Sequence, residues 1–165
     1  MITDIYETTG AVFDDLRNYR YALWRIWDKS KPVCTFIMLN PSTADDIKND
    51  PTVTRCINYA KSWGFGTLYV RNIFALRSTD PKALLKHPDP VGQFNDAYIV
   101  EATQYAKMTV VAWGTHGRIM KRGEIVLDKL HRCGFPVYCL GLTKCGQPRH
   151  PLYLPNTLKP IPWRV

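Results

Sequence analysis

The sequence predicts an α/β domain in which four β-strands alternate with helices and form a parallel sheet. Each strand is a short apolar run bounded by turn residues, and each ends in a polar loop. The chain of 165 residues has the usual size of one domain, and no repeat or linker indicates a second. We therefore expect residues 1–165 to form a single α/β domain. The predicted strands cover residues 33–39, 67–73, 108–113 and 136–140.

The helices between these strands have start and stop signals of their own, most clearly in the first helix. Asp50 is a good N-cap, Pro51 suits the first helical position, and Gly64 ends the helix. Before the first strand, residues 1–28 are rich in aromatic residues with partial alternation, which predicts a β-rich N-terminal hairpin. The predicted helices cover residues 51–63, 81–85, 95–106 and 118–133.

The positive charge of the chain is unevenly distributed. The formal net charge is +8, and residues 51–165 contain 16 of the 22 basic residues but only 6 of the 14 acidic ones. A basic surface attracts phosphate groups through counterion release and long-range steering. This favours nucleic acid or a nucleotide as the partner, although many soluble domains are moderately basic without binding either. The sequence leaves the oligomeric state open.

Several classes of protein lack support in the sequence. No apolar run approaches the roughly 20 residues of a membrane span, and the N-terminus lacks the features of a secretory signal. Five cysteines without a C-x-x-C pair favour reduced thiols and predict neither a zinc nor an iron–sulfur site. Glycine-rich phosphate-binding motifs and H-E-x-x-H are absent. We therefore expect a cytoplasmic protein with no membrane partner, no metal and no cofactor.

The loop after the first predicted strand is the strongest candidate for a site. Asn40 stands at the end of that strand, and Pro41 restricts it to extended geometry. Open α/β sheets bind their ligands at this edge. The alternative is that Asn40 caps a turn, that Asp45 and Asp46 are solvated, and that Asp50 serves only as the helix cap. The polar residues that follow Asn40 are Ser42, Asp45, Asp46, Asn49 and Asp50.

The loops after the other strands are expected to converge on the same site, because the carboxyl ends of parallel strands meet at one edge. His150 lies in a loop with two glycines and suits the stabilisation of developing negative charge, and His116 is a weaker candidate. Phe74 and Trp113 are able to stack on a base, but aromatic residues near strand ends more often belong to the core. The candidates in these loops are Asn72, Phe74, Arg77, Trp113, Lys144, Arg149 and His150.

These motifs resemble a bacterial and phage family of unknown function, DUF1643. The resemblance covers nearly the whole chain, and it implies no activity. It rests on residues 20–21, 38–45, 49–53, 63–66, 72–77 and 150–153.

A more distant resemblance is to the uracil-DNA glycosylase superfamily, and two short motifs carry it. The pair Asn40-Pro41 is similar to the first motif of the mismatch-specific branch, although Leu39 stands where that motif has glycine. The pair His150-Pro151 is similar to the last motif, with leucine following in place of serine. The resemblance implies a three-layer α/β/α fold with a central four-stranded parallel sheet.

The same resemblance implies a role for each candidate. Asn40 would position the attacking water with help from Asp45 or Asp46, Asn72 would read the base, and His150 would stabilise the leaving base. A base within a duplex would have to be flipped out before it is read. Basic side chains would clamp phosphates, namely those of Arg77, Arg118, Lys144 and Arg149. The remaining predicted substrate contacts are Pro41, Ser42, Asn49, Phe74 and Trp113.

The leading hypothesis from the sequence is thus a nucleobase-recognising N-glycosidase that acts on DNA or on a nucleotide. The first alternative is a non-catalytic nucleotide- or DNA-binding protein that uses the same pocket. A further alternative is phosphate-ester chemistry, with Asp45, Asp46 and Asp50 around a divalent metal.

Overall fold

The structure, a computed structural model, describes residues 8–163, which form one seven-stranded mixed sheet with helices. The first seven residues of the predicted N-terminal hairpin lie outside the described residues. The order of the strands across the sheet is β1-β2-β4-β3-β5-β6-β7. The strands are β1 (Thr9–Phe13), β2 (Arg20–Ile26), β3 (Val33–Met38), β4 (Thr67–Asn72), β5 (Met108–Val111), β6 (Tyr138–Cys139) and β7 (Ile161–Pro162).

The sheet is wider than the sequence predicts because antiparallel strands extend it at both edges. Strands β4, β3, β5 and β6 are parallel neighbours. Strand β2 pairs antiparallel with β4, opposing Leu23 to Val70, and β1 pairs antiparallel with β2. At the other edge, β7 is antiparallel to β6. The predicted α/β class is therefore confirmed, with the N-terminal strands built into the main sheet.

Four α-helices connect or follow these strands within residues 8–163. Helix α1 begins as predicted, because the Asp50 carboxylate accepts a hydrogen bond from the Val53 amide at 2.8 Å and Pro51 occupies the first turn. Gly64, with φ of +89°, follows the end of this helix. The helices are α1 (Pro51–Ser62), α2 (Ala83–Lys86), α3 (Asn95–Tyr105) and α4 (Arg122–Arg132).

The prediction of one helix over residues 118–133 is wrong at its start. Residues Thr115–Lys121 form a 3₁₀ segment, and α4 begins only at Arg122. Met120 and Lys121 have φ of +53° and +54°, which interrupts the helix between the two parts. Gly117 explains the tight segment, because a Cβ atom there would lie 1.9 Å from the Trp113 ring. Close packing on Trp113 thus replaces the first turns of the predicted helix.

Two apolar clusters hold the helices against the sheet. One joins Tyr59 of α1 to Phe36 of β3, and the other joins Ile99 of α3 and Leu130 of α4 to Ile37 of β3. Neighbouring residues on a strand point to opposite faces, so α1 covers one face of the sheet, and α3 and α4 cover the other. No helix within residues 8–163 combines the length and the apolar character that crossing a membrane requires.

Candidate functional site

A cleft of about 410 Å³ lies where β3, β4 and β5 end at their carboxyl sides. This is the edge at which parallel sheets bind ligands, and the volume falls within the usual range for small-molecule sites. Five of the residues predicted from the sequence line it: Asn40, Ser42, Asn72, Trp113 and His150. His116, the weaker histidine candidate, also lines it, as does Asp50, which the sequence named as a helix cap and in the metal alternative. The cleft is lined as well by four residues that were not predicted as site residues: Arg20, Ser78, Thr79 and Thr115.

The amide of Asn40 is held in one orientation. Its Nδ2 donates to the carbonyl oxygens of Ser78 at 2.9 Å, Pro41 at 3.2 Å and Leu76 at 3.5 Å. A flipped amide would direct Oδ1 at these carbonyls, so the assignment of nitrogen and oxygen follows from the contacts. Within the described residues, Oδ1 accepts no hydrogen bond. Asn40 therefore offers the cleft a fixed acceptor.

The contacts of His150 likewise fix which of its ring nitrogens carries the proton. Nδ1 accepts a hydrogen bond from the Leu152 amide at 3.2 Å, so in the neutral ring the proton lies on Nε2. Burial lowers the pKa of His150 below 6.5, and the nearby Asp50 carboxylate opposes that shift. The ring is accordingly neutral at pH 7. It provides an Nε2–H donor to a ligand in the cleft.

On the β4 side of the cleft, Arg20 and Asn72 form a buried pair. Nη2 of Arg20 donates to Oδ1 of Asn72 at 3.3 Å, and Nη1 donates to the carbonyl of Ala44 at 3.0 Å. Because Asn72 Oδ1 is an acceptor here, its Nδ2 group remains as a donor. Asn72 is held from behind by Asn95, which donates to the Asn72 carbonyl at 2.7 Å.

Arg20 is a functional candidate that sequence reasoning missed. It is 3% exposed, and its Nε is buried without a hydrogen-bond partner. Burial lowers its pKa to about 10, with Asp50 opposing and the guanidinium groups of Arg77, Arg25 and Arg71 adding to the shift. It stays protonated at pH 7. Two signals were present in the sequence: residues 20–21 belong to the motifs that resemble DUF1643, and Arg20 begins a strand that is largely aromatic and apolar.

Within residues 8–163, Asp50 is the one acidic residue that lines the cleft. Oδ1 accepts from the Val53 amide at 2.8 Å and Oδ2 from the Ala44 amide at 3.4 Å. The carboxylate is thus positioned by the helix terminus that it caps. The sequence identified Asp50 as a helix cap and, in the phosphate-ester alternative, as a metal ligand together with Asp45 and Asp46. Its position at the start of α1 brings it to the cleft.

The acidic loop, residues 45–49, lies outside the cleft. Asp45 accepts from the amides of Ile47 at 2.9 Å and Lys48 at 2.7 Å, which closes a turn and lowers the Asp45 pKa. Asp46 is exposed, and Asn49 accepts from Nε of Arg25 at 2.8 Å. The structure therefore does not bring Asp45, Asp46 or Asn49 together with Asn40.

The two aromatic candidates occupy different positions. Phe74 is fully buried in the core cluster of α3 and α4 and does not line the cleft. Trp113 lines the cleft but is only 1% exposed, and its Nε1 donates to Gln147 at 2.9 Å. Pro41 is buried, and its carbonyl accepts from the Ser78 amide at 2.9 Å. Neither Phe74 nor Trp113 presents an open ring face for stacking on a base.

The predicted phosphate-clamping residues do not line the cleft. Arg77 packs over the ring of Phe13 at 4.9 Å and donates to the Arg17 carbonyl at 3.1 Å. Lys144 and Arg149 are exposed on the loop after β6. Arg118 lines a separate depression beside α4. Within residues 8–163, no group of three or more His, Cys, Asp or Glu side chains is arranged to hold a metal ion.

Comparison with known protein families agrees with the motifs around this cleft. The model of the family described as "Protein of unknown function (DUF1643)" matches residues 20–152. The chain belongs to the DUF1643 family. The match begins at Arg20 and ends beyond His150, so it spans both walls of the cleft. No curated protein and no solved structure matches the chain.

Proposed function

We propose that this DUF1643 protein is a nucleobase-recognising N-glycosidase with an architecture like that of uracil-DNA glycosylases. The four adjacent parallel strands, with α1 on one face and α3 and α4 on the other, support that architecture. The substrate class is DNA or a free nucleotide. The architecture alone does not argue for the chemistry, which rests on the cleft.

The observation that carries the proposal is the pairing of a fixed acceptor with a fixed donor in one cleft. Asn40 Oδ1 is free because Nδ2 is bound to three carbonyls, and His150 Nε2–H is free because Nδ1 is bound to Leu152. Hydrolysis of an N-glycosidic bond needs an acceptor for the attacking water and a donor for the base that leaves. These two side chains supply both.

The remaining groups fit the charges that develop during such a reaction. As the bond from C1′ to the base nitrogen breaks, the sugar becomes positive and the base becomes negative. The Asp50 carboxylate stabilises the positive sugar, and we assign to it the role that the sequence suggested for Asp45 or Asp46. Asn40 orients the water whose oxygen bonds to C1′. The proton released from that water passes to solvent or to the departing base, which accepts a hydrogen bond from neutral His150.

The test is release of a free base. Purified protein is incubated with DNA containing uracil, hydroxymethyluracil or a mismatch, and separately with a pool of free nucleotides, and mass spectrometry identifies released bases. We expect one base to appear with the wild type and to fall by about 100-fold or more with Asn40→Ala. Base release that is undiminished in Asn40→Ala would contradict the role of this residue.

A second candidate is a non-catalytic nucleotide- or DNA-binding protein that uses the same cleft. It is favoured by one observation, since both oxygens of Asp50 already accept backbone hydrogen bonds. A carboxylate engaged in this way is less available to a reacting water. Retention of nucleotide or DNA on the protein, with no released base from any substrate, would favour this second function.

A further inference from the structure

Among the buried arginines of residues 8–163, Arg20 is the one whose positive charge is offset least by the groups that contact its guanidinium. Arg122 is paired with Asp96 at 2.6 Å, and Arg25 donates to four carbonyl oxygens and to Asn49. Arg71 donates to two carbonyls and packs against two tyrosine rings. Arg20 makes two hydrogen bonds to neutral acceptors, and within residues 8–163 no carboxylate forms an ion pair with it.

This arrangement leaves a buried positive charge beside an open cleft, and the nearby Asp50 carboxylate offsets it in part without forming an ion pair. A buried charge without a partner is costly, and an anion supplied by a ligand removes that cost. Two of the five N–H groups of the guanidinium are used, and the Nε–H has no partner. The N-terminus of α1, which also lines the cleft, adds a positive dipole end, although Asp50 at that terminus opposes it. Arginine is well suited to phosphate because its planar fork matches the phosphate oxygens.

The order of the strands says which part of a ligand would lie there. Arg20 and Asn72 stand on the β2 and β4 side of Asn40, and His150 comes from the loop after β6, on the other side. His150 itself lies beside the end of β5, because a Cβ atom on Gly114 would be 3.6 Å from the His150 Cβ. Arg20 is bonded to Asn72 at the end of β4. Two strand spacings, about 10 Å, separate β4 from β5 across β3. A mononucleotide is long enough to cover that distance. With its sugar at Asn40 and its base at His150, its phosphate would lie at Arg20.

We propose that Arg20, with Asn72 beside it, forms a phosphate-binding site at the floor of this cleft. The inference rests on the proposed function for the direction in which the ligand lies, and it specifies the substrate as a phosphate ester. The phosphate is that of a free mononucleotide or of the DNA backbone. The Nδ2 donor of Asn72 then serves the phosphate rather than the base.

Binding to the intact chain tests this site without any need for turnover. Calorimetry measures the affinities of five nucleosides and their 5′-monophosphates, with adenine, guanine, cytosine, uracil or thymine as base, and of inorganic phosphate as a competitor. A short single-stranded oligonucleotide is measured in parallel. We expect at least one monophosphate to bind about tenfold or more tightly than its nucleoside, and inorganic phosphate to compete. If the oligonucleotide binds and the mononucleotides do not, the phosphate is that of a DNA backbone.

Two variants assign the effect to Arg20. Arg20→Gln removes the charge, and it should abolish the preference for the phosphorylated ligand. Lys107→Gln removes one positive charge from an exposed position at the opposite edge of the sheet, and it should leave the affinity within about twofold. If Arg20→Gln does not fold, the ratio of nucleotide to nucleoside affinity in the wild type decides the question.

Equal affinity of a nucleoside and its monophosphate where both bind, or no competition by phosphate with the nucleotide or oligonucleotide that binds, would overturn this site. Absence of binding by every nucleotide and by the oligonucleotide would overturn it as well. That failure is distinguishable from a failure of the proposed function. Base release from unphosphorylated nucleosides, lost in Asn40→Ala, would keep the glycosidase and remove the phosphate site. Phosphate-dependent binding that is lost in Arg20→Gln, with no base released, would keep the phosphate site and remove the catalysis.

Discussion

Arg20 and Arg25 lie five residues apart on strand β2, both are buried, and they have opposite surroundings. Arg25 is surrounded by acceptors, including the carbonyls of Asp45 at 2.6 Å and Lys48 at 3.1 Å, and so fastens the acidic loop to the sheet. Arg20 contacts Ala44, the residue just before that loop, but it lines the cleft and keeps an unpartnered Nε. One arginine is satisfied by its own chain, and the other is not.

The difference teaches how this chain separates stability from function over a few residues. In the acidic loop, Asp45 uses its side chain to close a turn and Asn49 uses its side chain to accept from Arg25, so both are occupied within the chain. Three side chains that line the cleft are each held through one polar atom, and the other polar atom makes no side-chain hydrogen bond within residues 8–163: Oδ1 of Asn40, Nδ2 of Asn72 and Nε2 of His150. Preorganised groups of this kind are what a binding or catalytic site requires.

The largest effect we expect is on stability, and it separates the two arginines directly. Arg25→Gln removes most of five hydrogen bonds from a charged donor and releases the acidic loop from the sheet, so it should lower the free energy of unfolding by about 3 kcal/mol. Arg20→Gln removes an uncompensated buried charge together with two hydrogen bonds, and the net change should be about 1 kcal/mol or less. Urea denaturation measures the free energy of unfolding of each variant. Equal losses in the two variants would contradict the distinction between the two arginines.

The second effect is on the rate of base release, and it distinguishes the carboxylate of Asp50 from that of Asp45. Asp50→Asn keeps a good helix N-cap but removes the charge beside the sugar, and we expect a loss of about 30-fold in rate. Asp45→Asn is the matched control, because its side chain also closes a local turn but lies outside the cleft. Its rate should stay within about twofold of the wild type. A larger loss for Asp45→Asn than for Asp50→Asn would assign catalysis to the acidic loop instead.

The smallest effect concerns pH and sharpens the assignment of His150. Its pKa is lowered in the folded protein by burial, with Asp50 opposing, so the neutral form contributes stability that is complete above pH 6.5. That stability is lost as the pH falls from 6.5 through the folded pKa, because the protonated ring cannot accept from the Leu152 amide. The Tm of the wild type should therefore fall more between pH 7.5 and pH 5 than that of His150→Gln. If the Tm of the wild type and that of His150→Gln fall equally over this pH range, His150 does not titrate in this way.

Local signals in the sequence were sufficient for most of the fold. Apolar runs predicted β3, β4 and β5, and the pair Asp50-Pro51 predicted the start of α1. The width of the sheet was not predictable in this way, because the partner of β2 is β4, more than 40 residues away in the chain. The interruption at Met120 and Lys121 also depends on packing, since Trp113 must first be in place to require it.

The rule that open α/β sheets bind ligands at the carboxyl ends of their strands predicted only part of the cleft. Asn40, Asn72 and His150 follow strands, and all three line the cleft. Asp45 and Asp46 resemble Asp50 in the sequence, and only the turn between them determines which carboxylate lies at the cleft. Arg20 begins strand β2 and does not follow a strand, so the rule on strand ends does not identify it, and its importance comes from what surrounds it.

The most direct test of the central claim is the single-turnover rate of base release, compared between the wild type, Asn40→Ala and Asp46→Asn on the substrate that the initial screen identifies. Asn40 lies in the cleft and Asp46 is exposed on the acidic loop. We predict a loss of about 100-fold or more in Asn40→Ala and a rate within about twofold of the wild type in Asp46→Asn. Equal rates for all three proteins, or a loss confined to Asp46→Asn, would contradict the assignment of the reaction to this cleft.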